Sequence, residues 1–342
     1  MKQKIFLVFV VNAFILINSC TDSITDSEPS PGRRDYVWTA DTLNAGFETL
    51  YLMRIWGSSP EDVWAIASSS WSATTIWHYN GVQWHCDSIP RFVQPAALFG
   101  YSSNEVWLGN INSTIWRYDG AQWLRFGEYK VEGYSFTAIE DFGGLSRDNL
   151  YAVGYTELLN ANKWKAILMH YNGRSWGFIN VPETKAAFET IAVEDKNGVV
   201  VMSGTIYDPS GFVPKVYCWD GNELLDLPYT GPGYTFVTKV GNEIFVSVGS
   251  RIYKYNNKQL VLWKDNTGTN IYGRLWCGRS RNDFFIEGSN GIYHYNGTDY
   301  VKLFETNFSV DRGMIFEKDV FFIAYNHWTG KNIIIHGKLK DE

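Results

Sequence analysis

The sequence of 342 residues predicts an all-β fold built from repeated four-stranded sheets. A strand-like run, a tight turn and a second run recur six times, and the turn residues are Gly81, Gly120, Gly173, Gly221, Asn257 and Gly297. Another strand-like hairpin precedes each copy, as residues 55–64 precede residues 76–84. Four strands per unit and a period near forty residues are typical of a radial β-propeller.

The two ends of the chain predict how the ring closes. After residue 300 there are three strand-like runs, at 313–316, 320–324 and 332–336, and no fourth. Residues 35–41 precede the first full unit and contain Trp38 in the position that Trp84 and Trp123 hold in theirs. Pairing of this N-terminal strand with the last unit would remove an open sheet edge, so we expect seven blades over residues 35–342.

The repeat resembles kelch-type propellers of bacterial surface lipoproteins. A glycine is predicted to end the second strand of several units, at Gly154, Gly204, Gly249 and Gly288. The first unit contains the run Trp-Gly-Ser-Ser-Pro-x-Asp-Val-Trp at residues 56–64, which looks like the propeller repeats of such lipoproteins. The resemblance implies a propeller fold at the cell surface and assigns no activity.

The N-terminus predicts export and lipid anchoring. Lys2 and Lys4 precede a mostly apolar segment, 5–17, which is too short to span a bilayer and suits a signal peptide. Residues 17–20 are similar to a bacterial lipobox, which implies cleavage after residue 19 and diacylation of Cys20. Residues 20–34 are polar and predict a flexible tether. A plain secretory signal with an incidental cysteine is the alternative.

Charge and composition restrict the partners. The chain has 30 basic and 36 acidic residues, a net charge of −6, and no basic run, which argues against nucleic acid and leaves the N-terminal lipid as the only predicted membrane contact. His78, His170 and His294 belong to different units and cannot converge on a metal. We predict no metal, no cofactor and no catalytic motif. Cys86, Cys218 and Cys277 also fall in different units, so three mostly buried thiols are expected.

Candidate ligand-binding residues lie on one predicted face, formed by the connections from strand two to strand three and from strand four to the next blade. Long loops are expected there at 68–74, 155–166, 206–215 and 325–332. Their aromatic and histidine side chains are candidates for stacking on a sugar or anchoring a protein: Trp71, Trp164, Tyr207, Phe212, His327 and Trp328. The alternative is that each ring folds back over its own blade.

Charged residues on the innermost strands form a second set of candidates. They are expected to line the central channel and to orient a polar or anionic ligand: Arg54, Glu140, Asp141, Glu189, Lys239, Arg274 and Arg312. The alternative is that they pair with one another or with channel water.

Two main hypotheses for function follow. The first is a lipid-anchored binding platform for a protein or glycan at the cell envelope, on the outer membrane or cell surface. The second is a carbohydrate-active enzyme, a hydrolase, lyase or glycosyl transferase, with Asp141 or Glu189 as acid and base. A third possibility, a structural part of an envelope assembly, would require a large apolar patch on the blade rims.

Overall fold

The protein is a ring of seven four-stranded antiparallel sheets. The computed structural model describes residues 29–43, 51–68, 75–86, 93–159, 163–208 and 211–341. Each blade is a meander in which consecutive strands pair. No helix among these residues is long and apolar enough to cross a bilayer.

The strands follow the repeat. Blades one to three contain β2 (Tyr51–Ser59), β3 (Asp62–Ser68), β4 (Ile76–Tyr79), β5 (Trp84–Cys86), β6 (Pro95–Ser102), β7 (Glu105–Asn110), β8 (Thr114–Tyr118), β9 (Trp123–Glu128), β10 (Phe136–Ser146), β11 (Asn149–Leu158), β12 (Lys163–Tyr171) and β13 (Trp176–Ile179). Blades four and five contain β14 (Ala186–Val193), β15 (Val200–Asp208), β16 (Gly211–Trp219), β17 (Leu224–Asp226), β18 (Thr235–Val240), β19 (Glu243–Val248), β20 (Arg251–Asn256) and β21 (Gln259–Asp265). Blades six and seven contain β22 (Ile271–Ser280), β23 (Asp283–Gly288), β24 (Gly291–Tyr295), β25 (Tyr300–Glu305), β26 (Ser309–Ile315), β27 (Asp319–Asn326), β28 (Lys331–Leu339) and the N-terminal β1 (Tyr36–Leu43).

Ring closure is as predicted. β1 pairs with β28 in an unbroken antiparallel register from Tyr36↔Leu339 to Leu43↔Asn332, so the outermost strand of blade seven comes from the N-terminus. Trp38 packs on Phe304 and Phe322, with ring centroids 5.4 and 6.4 Å away. The first strand of each blade contacts the first strand of the next, and β26 contacts β2, which completes the ring around a central channel.

The ring has two faces. The connections from strand two to three and from strand four to the next blade lie on one face, here called the loop face. The connections from strand one to two and from three to four lie on the opposite one, here called the turn face. The faces follow from the up-and-down order of strands in every blade.

The turn at Asn80-Gly81, between strands three and four of blade one, is not the type I′ turn that an Asn-Gly pair favours. Gly81 has φ of 87°, but Asn80 has an ordinary negative φ. The Asn80 side-chain oxygen instead accepts hydrogen bonds from the amides of Val82 and Gln83, at 3.1 and 3.0 Å. Only blade five has two consecutive positive-φ residues in this turn, Asn257 and Lys258.

Two predicted loops are strands instead. Gly154 and Gly204, expected to end their strands, lie inside β11 and β15. An added Cβ at Gly154 would lie 2.0 Å from the carbonyl oxygen of Ala138, so glycine here permits close approach of the neighbouring strand. The hairpins β11–β12 and β15–β16 therefore extend to Leu158 and Asp208, beyond the ends of the other blades' strands.

A polar pair recurs between strands two and three. Nε2 of His78 lies 2.6 Å from Asp62 Oδ1, and the same pairing links His294 to Asp283 at 2.8 Å. A third copy in blade seven joins His336 to Asp319. Each of these histidines has its partner inside its own blade. His78, His170 and His294 lie in different blades, as expected. Asp62 follows the turn between strands one and two and is a half-buried partner of His78.

The thiols match the expectation in part. Cys218 and Cys277 are buried on different blades, whereas Cys86 is exposed because it ends the short outermost strand of blade one. All three are free of disulfide bonds. No group of three or more potential metal ligands occurs among the described residues.

Residues 29–34, assigned by composition to the flexible tether, contact blade six. The amide of Gly32 donates to the Asn282 carbonyl at 3.0 Å, and Arg34 bonds the side chain of Asp299 at 2.8 Å. Asn282 and Asp299 lie in turn-face connections, so the N-terminal segment reaches the ring at the turn face. The polar composition of residues 29–34 does not predict these specific contacts.

Candidate binding surface at the channel mouth

The channel is lined by charge because of irregularities in the innermost strands. Register shifts occur in β2 between Leu52 and Arg54, in β10 between Ile139 and Asp141, and in β26 between Val310 and Arg312. Such a bulge can turn two consecutive side chains toward one side, which simple alternation does not allow. We call the resulting set the channel girdle. It comprises Arg54, Glu140, Asp141, Glu189, Arg274, Asp311 and Arg312.

Arg54 crosses the channel from blade one to blades three and four. Its guanidinium donates to the backbone carbonyl of Glu140 at 2.7 Å and to that of Glu189 at 3.5 Å. Its Nε lies 3.8 Å from Asp141 Oδ1. Arg54 is only 8% exposed, so it acts as a brace inside the ring.

Asp141 belongs to the same brace. Its two carboxylate oxygens accept hydrogen bonds from the backbone amides of Phe142, at 3.0 Å, and of Ile191 in the next blade, at 3.3 Å. Burial raises the pKa of Asp141, and the adjacent Arg54 opposes that change. The geometry gives Asp141 a structural role in the brace.

The guanidinium groups on the other side of the channel are held differently. Arg274 pairs with Asp311, donates to the Val310 carbonyl at 3.0 Å and lies 3.5 Å from Glu287. Arg312 lies over the ring of Phe236, 4.4 Å from its centroid. Burial, and then the neighbouring Arg54, lower the pKa of Arg312 to about 10.

Glu140 and Glu189 differ from Asp141 because Arg54 binds their backbone carbonyls and not their carboxylates. Burial raises the pKa of both side chains. Repulsion from Glu189 adds to the rise at Glu140, whereas a hydrogen bond from Thr205 opposes it at Glu189. Lys239, also expected in the channel, instead pairs with Asp195 on the turn face at 2.5 Å.

The extended hairpins of blades three and four carry a continuous line of aromatic rings beside these carboxylates. Tyr155 packs on Trp164 with centroids 4.8 Å apart, and Trp164 stacks on Tyr207 at 4.8 Å with planes 22° apart. Phe212 meets Tyr207 edge-on at 5.4 Å. We call these four residues the aromatic row. It joins two blades, so Trp164 does not simply cover its own sheet.

The aromatic row is accessible. Phe212 is 64% exposed and Tyr207 is 37% exposed, whereas the aromatic rings of the repeat, such as Trp64 and Trp107, are fully buried. Tyr155 and Trp164 are half-buried. Exposed aromatic rings outside the packing positions of the repeat are typical of contact surfaces.

The predicted residues of blade seven lie on another part of the loop face. Trp328 is 95% exposed in the turn between β27 and β28, and its amide donates to Asn326 Oδ1 at 2.9 Å. His327 is exposed and meets the ring of Tyr325 edge-on at 4.9 Å. His327 also lines a cavity of about 230 Å³ with Tyr272 and Trp276 of blade six. Trp71 and Cys20 lie outside the described residues.

Several residues at the channel mouth were not among the candidates predicted from the sequence. Glu157, which lies directly opposite Trp164, was not distinguished because it falls in the predicted loop. Asp311 and Glu287, the partners of Arg274, could not be found from the sequence, because Asp311 belongs to the next blade and the contact with Glu287 depends on the irregular register of β22 and β23. Asp311 and Arg312 are adjacent charged residues on a strand expected to line the channel, and two neighbouring charges there indicate a bulge.

A second cavity, of about 510 Å³, lies on the turn face away from the channel mouth. It is lined by Arg117, Arg125, Arg147 and Glu105, among others. Glu105 lies 3.5 and 3.4 Å from Arg117 and Arg147, so the chain itself supplies their counter-charge.

Comparisons with known proteins identify the fold. No protein-family model and no curated protein matches the chain. The solved structure of YCF48 bound to D1 peptide is similar with a TM-score of 0.63 and 13% identity, covering 92% of this chain and 100% of that one. Virginiamycin B lyase from Staphylococcus aureus, as an inactive variant with quinupristin, has a TM-score of 0.62 and 11% identity over 87% of this chain and 99% of that one.

A third similar structure is the extracellular domain of a protein described as a one-component system of B. thetaiotaomicron. It has a TM-score of 0.55 and 11% identity, over 89% of this chain and 40% of that one. At these identities the likeness concerns the fold alone. The chain is a seven-bladed β-propeller with four antiparallel strands per blade.

Proposed function

We propose that this chain is an exported, lipid-anchored propeller of the kelch-like lipoprotein type, which binds a protein or glycan at the bacterial cell envelope through its loop face. The observation that carries the proposal is the aromatic row, because its rings pack on one another across two blades, two of them are exposed, and they lie beside the channel carboxylates. The similar propellers support a binding role, since one was solved with a peptide and another is an extracellular domain.

The position of the N-terminal segment supports the orientation that such a platform needs. Residues 29–34 run along the turn face of blade six before β1 begins. A lipid on Cys20 would therefore hold the turn face toward the membrane and leave the loop face directed outward. The substitution Cys20→Ser should move the protein from the membrane fraction to the soluble fraction and abolish labelling by radioactive palmitate. Retention of both would contradict the anchor.

Binding by the loop face can be tested with two matched triple variants. One carries Trp164→Ala, Tyr207→Ala and Phe212→Ala. The control carries Phe178→Ala, Val261→Ala and Leu262→Ala, which remove partly exposed apolar side chains from outermost strands.

Wild-type protein is first screened on a glycan array and against cell-surface proteins. The aromatic variant should lose at least about tenfold in affinity for the ligand found, because exposed aromatic anchors carry much of an interface's binding energy. The control should bind as wild type does, with both variants folded by circular dichroism. Equal binding by the aromatic variant would reject this surface.

A carbohydrate-active enzyme is a second candidate, favoured by the two carboxylates of Glu140 and Glu189, whose pKa values burial raises. A carboxyl group whose pKa is raised holds its proton more readily than a free one, which suits a general acid. The test is to incubate the protein with extracellular polysaccharides and measure the release of reducing ends or unsaturated products. Release by the wild type that is lost in both Glu140→Gln and Glu189→Gln would support an enzymatic function. Turnover that survives both substitutions would exclude these residues as acid and base.

A further inference from the structure

The aromatic row lies in a negative electrostatic environment. Burial raises the pKa of the Tyr207 phenol most, and the negative charges of Glu189, Glu140 and Glu157 raise it further. Tyr155 is affected in the same direction by Glu140 and Glu157. The faces of aromatic rings are themselves negative, so rings and carboxylates together attract a cation.

Strand geometry brings these groups to one side of the hairpins. Tyr155 and Glu157 are two residues apart on β11, so they share a face, and Glu157 is directly opposite Trp164 on β12. In blade four, Tyr207 is directly opposite Phe212. The stacked contact between Trp164 and Tyr207 joins these two faces into one surface.

The arginines of the channel offset these carboxylates only in part. Arg54 donates to the backbone carbonyls of Glu140 and Glu189 and approaches the carboxylate of Asp141. The charges of Arg54 and Arg312 oppose the effect of burial on Glu140 and Glu189, and the pKa of both side chains is still raised. Glu157 is half-buried, and its pKa is raised by burial with no cation opposing the change. A carboxylate such as Glu157, which has no such counter-charge, is suited to an incoming cation.

We propose that the aromatic row and the carboxylates of Glu140, Glu157 and Glu189 bind an arginine side chain of a protein partner. This deepens the proposed function and rests on it. A guanidinium is planar and weakly hydrated, so it stacks on Trp and Tyr rings while its N–H groups pair with carboxylates. A lysine would make the charge contact without the planar stacking. The net charge of −6 favours the approach of a basic segment.

The test uses the full-length protein and a dye-labelled peptide containing three arginines separated by serine and glycine, with binding measured by fluorescence anisotropy. The matched peptide has citrulline in place of arginine, which keeps the planar shape and removes the charge. A lysine peptide and phosphatidylcholine vesicles complete the set, since a choline headgroup is another cation that aromatic rings bind.

We expect the arginine peptide to bind at least about tenfold more tightly than the citrulline peptide, with lysine in between, and its affinity to fall as salt is added. The double variant Glu140→Gln with Glu189→Gln should weaken arginine binding at least about tenfold, as should Trp164→Ala. The control Glu317→Gln, an exposed acid on the turn face, should bind as wild type does.

Three results would overturn the inference: no binding of the arginine peptide, equal binding of the citrulline peptide, or equal binding by the glutamine double variant with an unchanged melting temperature. Tighter binding to choline vesicles than to the peptide would also overturn it, in favour of a lipid. Failure here is distinguishable from failure of the proposed function. The triple aromatic variant would still lose the ligand found by the screen if only the inferred arginine were wrong.

Discussion

At the scale of single residues, the fold depends on polar pairs between neighbouring strands. In blades one, six and seven, an Asp at the start of strand two pairs with a His on strand three, and each of these His rings contacts an aromatic side chain of strand two. In blade four, Cys218 takes the position of the His and Val201 that of the aromatic residue opposite it, so the Asp–His pair does not form there. Each pair satisfies a polar group that would be costly to bury alone.

His170 gives a pH-dependent prediction. It is the blade-three member of this set and pairs with Asn149 at 2.8 Å, so it has no carboxylate to stabilise its charged form. Burial lowers the pKa of His170 below its ordinary value near 6.5. The unfolded chain therefore takes up a proton before the folded chain does, and stability decreases as pH falls through that value.

The measurement is the free energy of unfolding in urea at pH 7.5 and at pH 5.5, for wild type and His170→Asn. Wild type should lose more stability on acidification than the variant does. An identical loss in both proteins would show that His170 contributes nothing to the pH dependence.

The partners of individual side chains were the part of the structure that the sequence predicted least well. The repeat predicted that the histidines would lie in separate blades, but it did not indicate that His78 pairs with Asp62, because the two are sixteen positions apart in the chain. Lys239 was expected in the channel and lies on the turn face with Asp195. Side-chain partners depend on register and bulges, which a single sequence does not specify.

At the scale of elements, the two extended hairpins distinguish blades three and four from the others. The sequence predicted an unusual length between strands two and three but interpreted it as loop, since glycine at positions 154 and 204 looked like a strand end. The close approach of Ala138 explains why the strand needs glycine and continues beyond it. The aromatic row can form because β11 and β15 continue beyond these glycines and place its rings on paired strands.

Substitution of this glycine tests the interpretation. Gly154→Ala should destabilise the fold by roughly 3 kcal/mol or more, because the new methyl group would overlap a backbone oxygen that cannot move without shifting β10. The control is Gly177→Ala in β13, where an added Cβ meets nothing within 4 Å; it should be neutral or stabilise by up to about 1 kcal/mol. Chemical denaturation measures both, and similar stability of the two variants would contradict the account.

At the scale of the whole molecule, closure of the ring by the N-terminal strand was predictable because the repeat count left three strands at one end and one at the other. The structure confirms the seven blades and the shared last blade. What the sequence could not supply was the brace across the channel, where Arg54 of blade one binds backbone carbonyls of blades three and four.

Closure can be tested on β1 with a matched pair of substitutions. Trp38→Ala removes a half-buried ring from contact with Phe304 and Phe322 and should cost about 2–3 kcal/mol of unfolding free energy. Val37→Ala, at the adjacent position where the side chain is 53% exposed, should cost less than about 0.5 kcal/mol. Equal effects in urea denaturation would mean that the packing of β1 does not hold the ring closed.

Binding of the ligand by the loop face of blades three and four can be measured by hydrogen–deuterium exchange of the full chain, alone and saturated with the ligand that the binding screen identifies. If the ligand binds there, exchange should slow in the ends of the two hairpins, over residues 155–158, 163–166, 205–208 and 211–214, and stay unchanged in the turn-face connections. Protection confined to the turn face or to the outermost strands would show that the ligand binds elsewhere.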